Sequence, residues 1–425
     1  MTFRRHGRFV TFAMRVLFIC QYFPPEPGAP AARTHEHARE WVRLGHEVTV
    51  ICAVPHYPDG IVPPAYRGRL VFREEIDGIR VFRCRVWAAP NSGILRRGIC
   101  FLTFFLLALA VASRAGWQVD LIAATSPHLL APLAGRLAAA ITRKPFVVEI
   151  RDLWPQQIAD LDVLSSPWVL RPLEWIERSL YRAARRIVTV APATLETLAD
   201  RGVPREKLRC VPNGIDLDLF APPSPEATRA FREQQGWGPD TFVILYIGAH
   251  GLSQGLETVI EAAALRITRP TWRFVFVGGG ARKAALETMA REKGLQNTSF
   301  HPIVSRREVL LWYAAADVCL VCLRDLPVFH TNIPSKMFEI MAAGRPMVVA
   351  AAGQARQLAE AAGAALVVPP EHPAALAEAL DRLAENPELR ETLGRNGRQY
   401  AVTHCSRADR AREMLVIFSE ALGPH

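Results

Sequence analysis

The chain has 425 residues, half of them hydrophobic and 22% charged, with a net charge of +10. That length allows two or three globular domains with ample core, and eight scattered cysteines exclude a disulfide scaffold. No basic run is interleaved with aromatics and no zinc-finger or recognition-helix spacing occurs, so the charge suits anionic nucleotides and lipid surfaces better than nucleic acid.

The first residues, 1–13, are basic, and Arg15 follows before an adequate apolar stretch forms. They read as a leader or misplaced start rather than a secretory signal. RVLFIC (15–20) predicts a buried strand, ARTHEHAREWVRLG (32–45) a helix stopped by Gly45, and HEVTVICA (46–53) a second strand. IRVFRCRV (79–86), LIAATS (121–126), FVVEI (146–150) and RIVTVA (186–191) continue the series, with helical stretches between. The uncharged segment GICFLTFFLLALAVAS (98–113), preceded by Arg96 and Arg97, is short of the roughly 20 residues of a spanning helix. It reads either as a buried domain helix or as a helix lying in a membrane interface.

The pattern restarts after a Pro- and charge-rich stretch, 218–240, with TFVILYIGA (241–249). RFVFVGGG (273–280), TSFHPIV (298–304), DVCLVCL (317–323), PMVVAA (346–351) and AALVVPP (364–370) predict the next strands, and 256–267 and 374–386 the clearest helices. Strand–helix alternation predicts two mostly parallel, doubly wound α/β halves. The expected division is 14–210, a linker region 211–240, 241–405, and a final helix within 406–425. Cys319 and Cys322 form a CxxC inside an apolar strand, which reads as core thiols in a reducing cytosol rather than a metal site.

Several loops sit where chemistry collects, at the carboxyl ends of strands. After the first strand come prolines and Gly28, without a Walker lysine. EIRDLWPQQ (149–157) places Glu149, Arg151 and Asp152 at a strand end, either as a solvated ion pair or as a wall for a polar acceptor. VPNGID (211–216) puts Asn213 in a turn at the junction of the halves. LYIGAHGLSQGLETVIEAA runs from strand through Gly248, His250, Gly251, Gln254 and Gly255 into a helix. Such a turn lets phosphate approach backbone N–H groups, although it is not a GxGxxG fingerprint. His128 in TSPHLLAPLAG is a candidate base by position, or a packed or capping histidine.

NIPSKMFEIMAAGRP (332–346) predicts a short helix with Pro334 at its first position, Lys336 third, and Gly344 as its stop. A cation in the first turn opposes the helix dipole unless an anion shares the space. Lys336 and Glu339 are either a surface pair or the parts of an anion site, with the carboxylate accepting from hydroxyls. Phosphate beside a diol describes a nucleotide sugar.

The proline–glycine loop at 24–28, EIRDLWP, VPNGID, IGAHGLSQGLETVIEAA, FVFVGGG and IPSKMFEIMAAGRPMV together resemble the family 4 glycosyltransferases. Within that family the QGL and PSK elements are similar to the bacterial polysaccharide, O-antigen subfamily that includes WbuB. The resemblance implies a GT-B fold, two facing Rossmann-like domains with a cleft between them. It implies retaining sugar transfer from a nucleotide diphosphate sugar, UDP-linked, with an N-acetylated deoxyhexosamine among the sugars allowed, and no required metal or other cofactor. It implies a donor held by the second domain, at Gly248, His250, Gly251, Gln254, Gly278, Asn213, Lys336 and Glu339, and an acceptor by the first, at Gly28, His128, Arg151 and Asp152. Glu339 matches the second glutamate of the family's pair and would grip the ribose; the first falls on Thr331. The family's loop cations correspond to His250 and Gln254, so Lys336 takes over the diphosphate. Asp152, Glu339 and Lys336 are the residues expected to carry catalysis. A lipid-linked saccharide acceptor and the cytoplasmic membrane face are expected from 98–113. A non-enzymatic scaffold and another nucleotide-sugar enzyme such as a 2-epimerase are the competing readings.

Overall fold

The computed structural model describes residues 13–57, 59–89, 94–126, 128–160 and 166–423. Residues 1–12, nearly all of the expected leader, lie outside the described residues.

The N-terminal sheet contains β1 (Arg15–Ile19), β2 (Glu47–Ala53), β3 (Val71–Ile76), β4 (Ile79–Cys84), β5 (Leu121–Thr125), β6 (Phe146–Ile150), β7 (Arg186–Thr189) and β8 (Leu208–Cys210). Their order is β3-β4-β2-β1-β5-β6-β7-β8, and every pairing is parallel except β3 with β4. β4 is the strand predicted at 79–86, whereas its hairpin partner β3 and the short β8 were not among the predicted strands. The hairpin has a readable signal: Asp77 and Gly78 take φ of 50° and 76°, the pair of left-handed residues a two-residue Asp-Gly turn requires. β8 has only three residues, too few to show a period.

Helices α1 (Ala29–Arg43), α2 (Ile94–Ala115), α3 (Leu130–Thr142), α4 (Gln156–Asp160), α5 (Pro167–Ala183) and α6 (Pro192–Asp200) follow these strands. One face of the sheet packs Leu17, Ile19 and Ile51 against Phe104 and Ala108 of α2, Ala134 of α3 and Leu180 of α5. The other packs Phe18 and Val50 against Trp41 of α1. Strands buried on both faces need unbroken apolar runs, which is why RVLFI and TVICA read so clearly.

Helix α7 (Pro225–Gln234) lies inside the stretch expected as linker. This stretch is not a bare spacer: Phe220 and Trp237 are buried in the C-terminal core, and Arg232 Nη1 donates to Ala315 O at 2.7 Å. The second sheet contains β9 (Phe242–Ile247), β10 (Trp272–Val277), β11 (Thr298–His301), β12 (Val318–Cys322), β13 (Met347–Ala350) and β14 (Ala365–Val368), in the order β11-β10-β9-β12-β13-β14, all parallel. Around it lie α8 (Glu257–Leu265), α9 (Lys283–Glu292), α10 (Arg306–Ala315), α11 (Lys336–Ala342), α12 (Gly353–Ala362), α13 (Pro373–Glu385) and α14 (Pro387–His404).

The last helix, α15 (Arg407–Leu422), returns to the first domain. Phe418 packs on Trp41, Trp41 Nε1 donates to Ala411 O at 2.9 Å, and Arg407 pairs with Glu36 at 2.7 Å. The two chain crossings lie side by side: Ile215 N donates to Cys405 O and Arg407 N to Ile215 O. A Cβ on Gly214 would stand 2.7 Å from Cys405 O, so the Asn-Gly turn of VPNGID must be glycine for the crossings to touch.

Candidate active site

Each sheet reverses its strand order once, between β1 and β5 and between β9 and β12. Loops leaving the carboxyl ends at such points part to form a crevice. The crevices face each other across a cavity of about 310 Å³. The first domain contributes Ala29, Arg151, Asp152, Thr194 and Asn213; the second contributes Gln254, Thr331, Asn332, Ser335 and Lys336.

Lys336 is the first residue of α11, with Ser335 before it as cap and Gly344 just past its end at φ 65°. Pro334 therefore stands outside the helix, not at its first position, and Lys336 is first rather than third. The Lys336 Nζ lies 3.6 Å above the centre of the Tyr246 ring, a cation–π seat, and has no hydrogen-bond partner among the described residues. Burial lowers its pKa to about 7, with Glu339 among the groups pulling the other way. The position of Tyr246 is fixed by its own hydroxyl, which donates to Ala249 O at 2.7 Å. A Cβ on Gly248 would lie 2.8 Å from Nζ and push the ammonium off this seat, and the φ of 137° there already favours glycine.

The glycine run after β10 has a related cause. A Cβ on Gly278 would stand 2.0 Å from Gly248 O, so the two loops close on each other backbone to backbone. Gly278 thus shapes the donor loop and does not line the cavity. Gln254 does line it, while its Oε1 accepts from Gly251 N at 3.0 Å and holds the turn closed. His250 turns inward: its ring is fully buried among Tyr246, Phe276 and Phe300, and burial lowers its pKa to about 4. It is a neutral core histidine, so the expected donor contact by its side chain is replaced by a supporting role behind the loop. Glu339 lies one turn beyond Lys336, half-buried, and accepts from the Tyr313 hydroxyl at 2.8 Å. It does not line the cavity. The Thr331 hydroxyl lies at the cavity but donates to Val328 O at 3.0 Å.

In the first domain, the Arg151 Nη1 is buried and without a hydrogen-bond partner, while its backbone N–H donates to Ser126 Oγ at 2.7 Å. Burial presses the Arg151 pKa down, opposed by Glu149, and pushes the Asp152 carboxyl up, opposed by Arg151. Asp152 is the one carboxylate among the described residues lining the cavity. Asn213 also lines it, and its Oδ1 accepts from Arg33 Nη1 at 3.3 Å. Gly28, at φ 107°, caps α1 and sets Ala29 at the cavity without lining it.

His128, expected on the acceptor side, is buried under α2. It stacks on Phe101 at 4.1 Å, accepts from Ala131 N at 3.4 Å and faces Gln21 Oε1 at 3.2 Å. Burial lowers its pKa to about 3, so it caps α3 as a neutral ring and is no base for the cavity. The structure thus gathers Lys336, Gln254, Arg151, Asp152 and Asn213 around the cavity, and leaves Gly28, His128, Gly248, His250, Gly251, Gly278 and Glu339 outside its lining.

Two supporting residues escaped the sequence reading. Arg33 pairs with Glu149 at 2.8 Å in the core and donates to Val211 O and Pro212 O, clamping the crossing that carries Asn213. Its signal was the polar run RTHEH in a helix that ought to be apolar on one side. Tyr246 left no signal, since an aromatic in a strand reads as core. No group of three or more His, Cys, Asp or Glu suited to a metal occurs among the described residues.

Facing doubly wound domains with an anion-ready cleft define the GT-B class, and the known proteins agree. Residues 28–214 match the family described as "Glycosyl transferase 4-like domain" and residues 227–400 that described as "Glycosyl transferases group 1". The chain is 28% identical to the Escherichia coli K12 protein described as "Putative colanic acid biosynthesis glycosyl transferase WcaI", over 85% of this chain and 90% of that one. In fold it is similar to a sucrose-phosphate synthase of Thermosynechococcus elongatus, with TM-score 0.76, 21% identity and coverage of 96% and 98%. Anabaena HepE is a further likeness, with TM-score 0.72, 20% identity and coverage of 96% and 100%. The chain is a GT-B glycosyltransferase of family 4. That answers the scaffold and epimerase readings: it is a transferase.

Proposed function

We propose that this enzyme moves a sugar from a nucleotide diphosphate sugar to a lipid-linked saccharide during cell-surface polysaccharide assembly, with retention at the transferred carbon. The observation that carries the donor reading is Lys336: a buried ammonium on an aromatic seat, at the cleft, with no hydrogen-bond partner from the protein. A buried cation of this kind is costly unless an anion meets it. The leaving diphosphate supplies that anion, and its growing charge is stabilised by Lys336. The resemblance assigns the nucleoside's hydroxyls to Glu339, which stands one turn beyond Lys336, outside the cavity lining, with one carboxylate oxygen held by the Tyr313 hydroxyl. Asp152 orients the acceptor hydroxyl, and burial raises its carboxyl pKa, which makes it a better proton acceptor than an exposed aspartate. Retention is what the family resemblance implies; with one carboxylate lining the cavity among the described residues, no second is there to pair with it in a double displacement, so the retaining route proposed is attack from the face of departure.

UDP is the nucleotide we favour; HepE, similar in fold, has been crystallised with UDP and glucose. The relation to WcaI, named for colanic acid biosynthesis, supports polysaccharide assembly. The WbuB-like assignment and an N-acetylated deoxyhexosamine rest on the QGL and PSK elements. The cytoplasmic membrane face rests on α2, which is long and apolar enough to cross a membrane yet buries a stripe at Cys100, Phe104, Ala108 and Ala112. The test is a thermal-shift panel of UDP, GDP, ADP and CMP on wild type and Glu339→Ala. A ligand at about 100 times its Kd adds about 2.7 kcal/mol to the folded state. One diphosphate should raise the wild-type melting temperature and lose that effect in the variant. No response to any nucleotide would overturn the donor reading.

A further inference from the structure

The N-terminal domain exposes apolar residues on two helices of one layer. Helices α2 and α5 flank α3 on the same face of the sheet. Opposite its buried stripe, α2 presents Leu95, Ile99, Leu102 and Leu106, the first 77% exposed. On α5 the residues turned away from the core are Trp168 and Trp175, 86% and 63% exposed, with Arg171, Arg178 and Arg182 interleaved. Arg178 pairs with Glu174 at 3.3 Å, whereas Arg171 and Arg182 have no ion pair among the described residues. Exposed Trp alternating with Arg at helical spacing is poorly suited to water and well suited to a headgroup layer, where indoles lie at the boundary and guanidinium groups meet phosphate.

Both helices follow parallel strands and run back along the sheet, so their first turns lie at the carboxyl edge that forms the cleft. Leu95 and Trp168, the most exposed apolar residues of the two helices, are in those first turns. We propose that the α2–α5 face docks on an anionic lipid bilayer, with the indoles of Trp168 and Trp175 at headgroup level, the α2 leucines below them, and Arg171 and Arg182 on lipid phosphates. The bilayer then lies beside the cleft, so an acceptor anchored there reaches Asp152 without leaving the membrane. This gives the membrane-side reading of the enzyme a specific surface, and lipid docking stands apart from donor binding.

The experiment uses the full chain with vesicles of phosphatidylcholine alone and with about one third phosphatidylglycerol. The anionic vesicles should sediment the wild type and blue-shift its tryptophan emission. Trp168→Ser with Trp175→Ser should weaken partition about tenfold. Arg171→Glu with Arg182→Glu should remove the preference for anionic lipid. Leu102→Gln with Leu106→Gln is the independent check on α2. All three pairs sit on the surface, so melting temperature and its rise with UDP should match wild type. Failure of the wild type to bind anionic vesicles overturns the proposal, as does binding that none of the pairs weakens. A concentration-dependent dimer dispersed by the tryptophan pair, without vesicle binding, would assign the face to a second copy instead. The UDP response, read in the same samples, reports separately on the donor site.

Discussion

The two halves of the cleft handle charge differently. In the second domain the loop groups serve the loop itself: Gln254 closes the turn at Gly251, His250 is a core ring, and the glycines stack backbone on backbone. Among the described residues lining the cavity from this domain, one cation is left for a ligand, Lys336, seated on Tyr246. In the first domain a buried pair, Arg33 on Glu149, stands behind Arg151 and Asp152, which line the cavity and are partly exposed. On the proposed reading, one half receives the donor's anion, and the other holds the acceptor's polar group and exchanges a proton. The same doubly wound scaffold accommodates both because loops, not strands, carry the chemistry.

The comparison can be broken most severely at its scaffold. Gly278→Ala puts a Cβ against Gly248 O at a positive φ, and should cost more than about 3 kcal/mol, read as a large fall in melting temperature and loss of soluble enzyme. Lys336→Met should cut kcat/KM for donor by about 100-fold or more while leaving the unliganded protein as stable as wild type or more so, because it removes a buried cation. Asp152→Asn should lower kcat by about 100-fold with nucleotide affinity within about twofold of wild type, which separates the two halves kinetically.

The smallest effect is a pH dependence. Burial lowers the Lys336 pKa from 10.5 to about 7 in the folded chain. Between those values the unfolded chain holds more protons, so the contribution of this group to stability rises as pH increases from about 7 to 10.5. A bound diphosphate restores the proton. Nucleotide affinity should then fall as pH rises above about 7, and calorimetry at pH 8 in buffers of different ionisation enthalpy should show proton uptake.

Much of the fold was legible because buried parallel strands are unbroken apolar runs, and glycine-rich loops after them mark the crevice. The site was legible where a residue breaks a local rule, as Lys336 does at a helix start and Arg151 and Asp152 do at a strand end. It was not legible where a loop turns its histidine inward: nothing local distinguishes His250, a neutral core ring, from a cleft histidine, whereas for His128 the packed and capping alternative is the one the structure bears out. Nor does the composition of 218–240 reveal that Phe220 and Trp237 complete the second core. Those outcomes depend on packing between segments far apart in the chain.

The most direct test of the central claim is a calorimetric titration of UDP, GDP and ADP into wild type and Lys336→Met at pH 6.5, on the acid side of the lysine's lowered pKa. One nucleotide should bind the wild type and lose about 100-fold in affinity in the variant, with its melting temperature unimpaired. Equal affinity in the two proteins would contradict the assignment of Lys336 to the diphosphate and with it the division of labour between the halves.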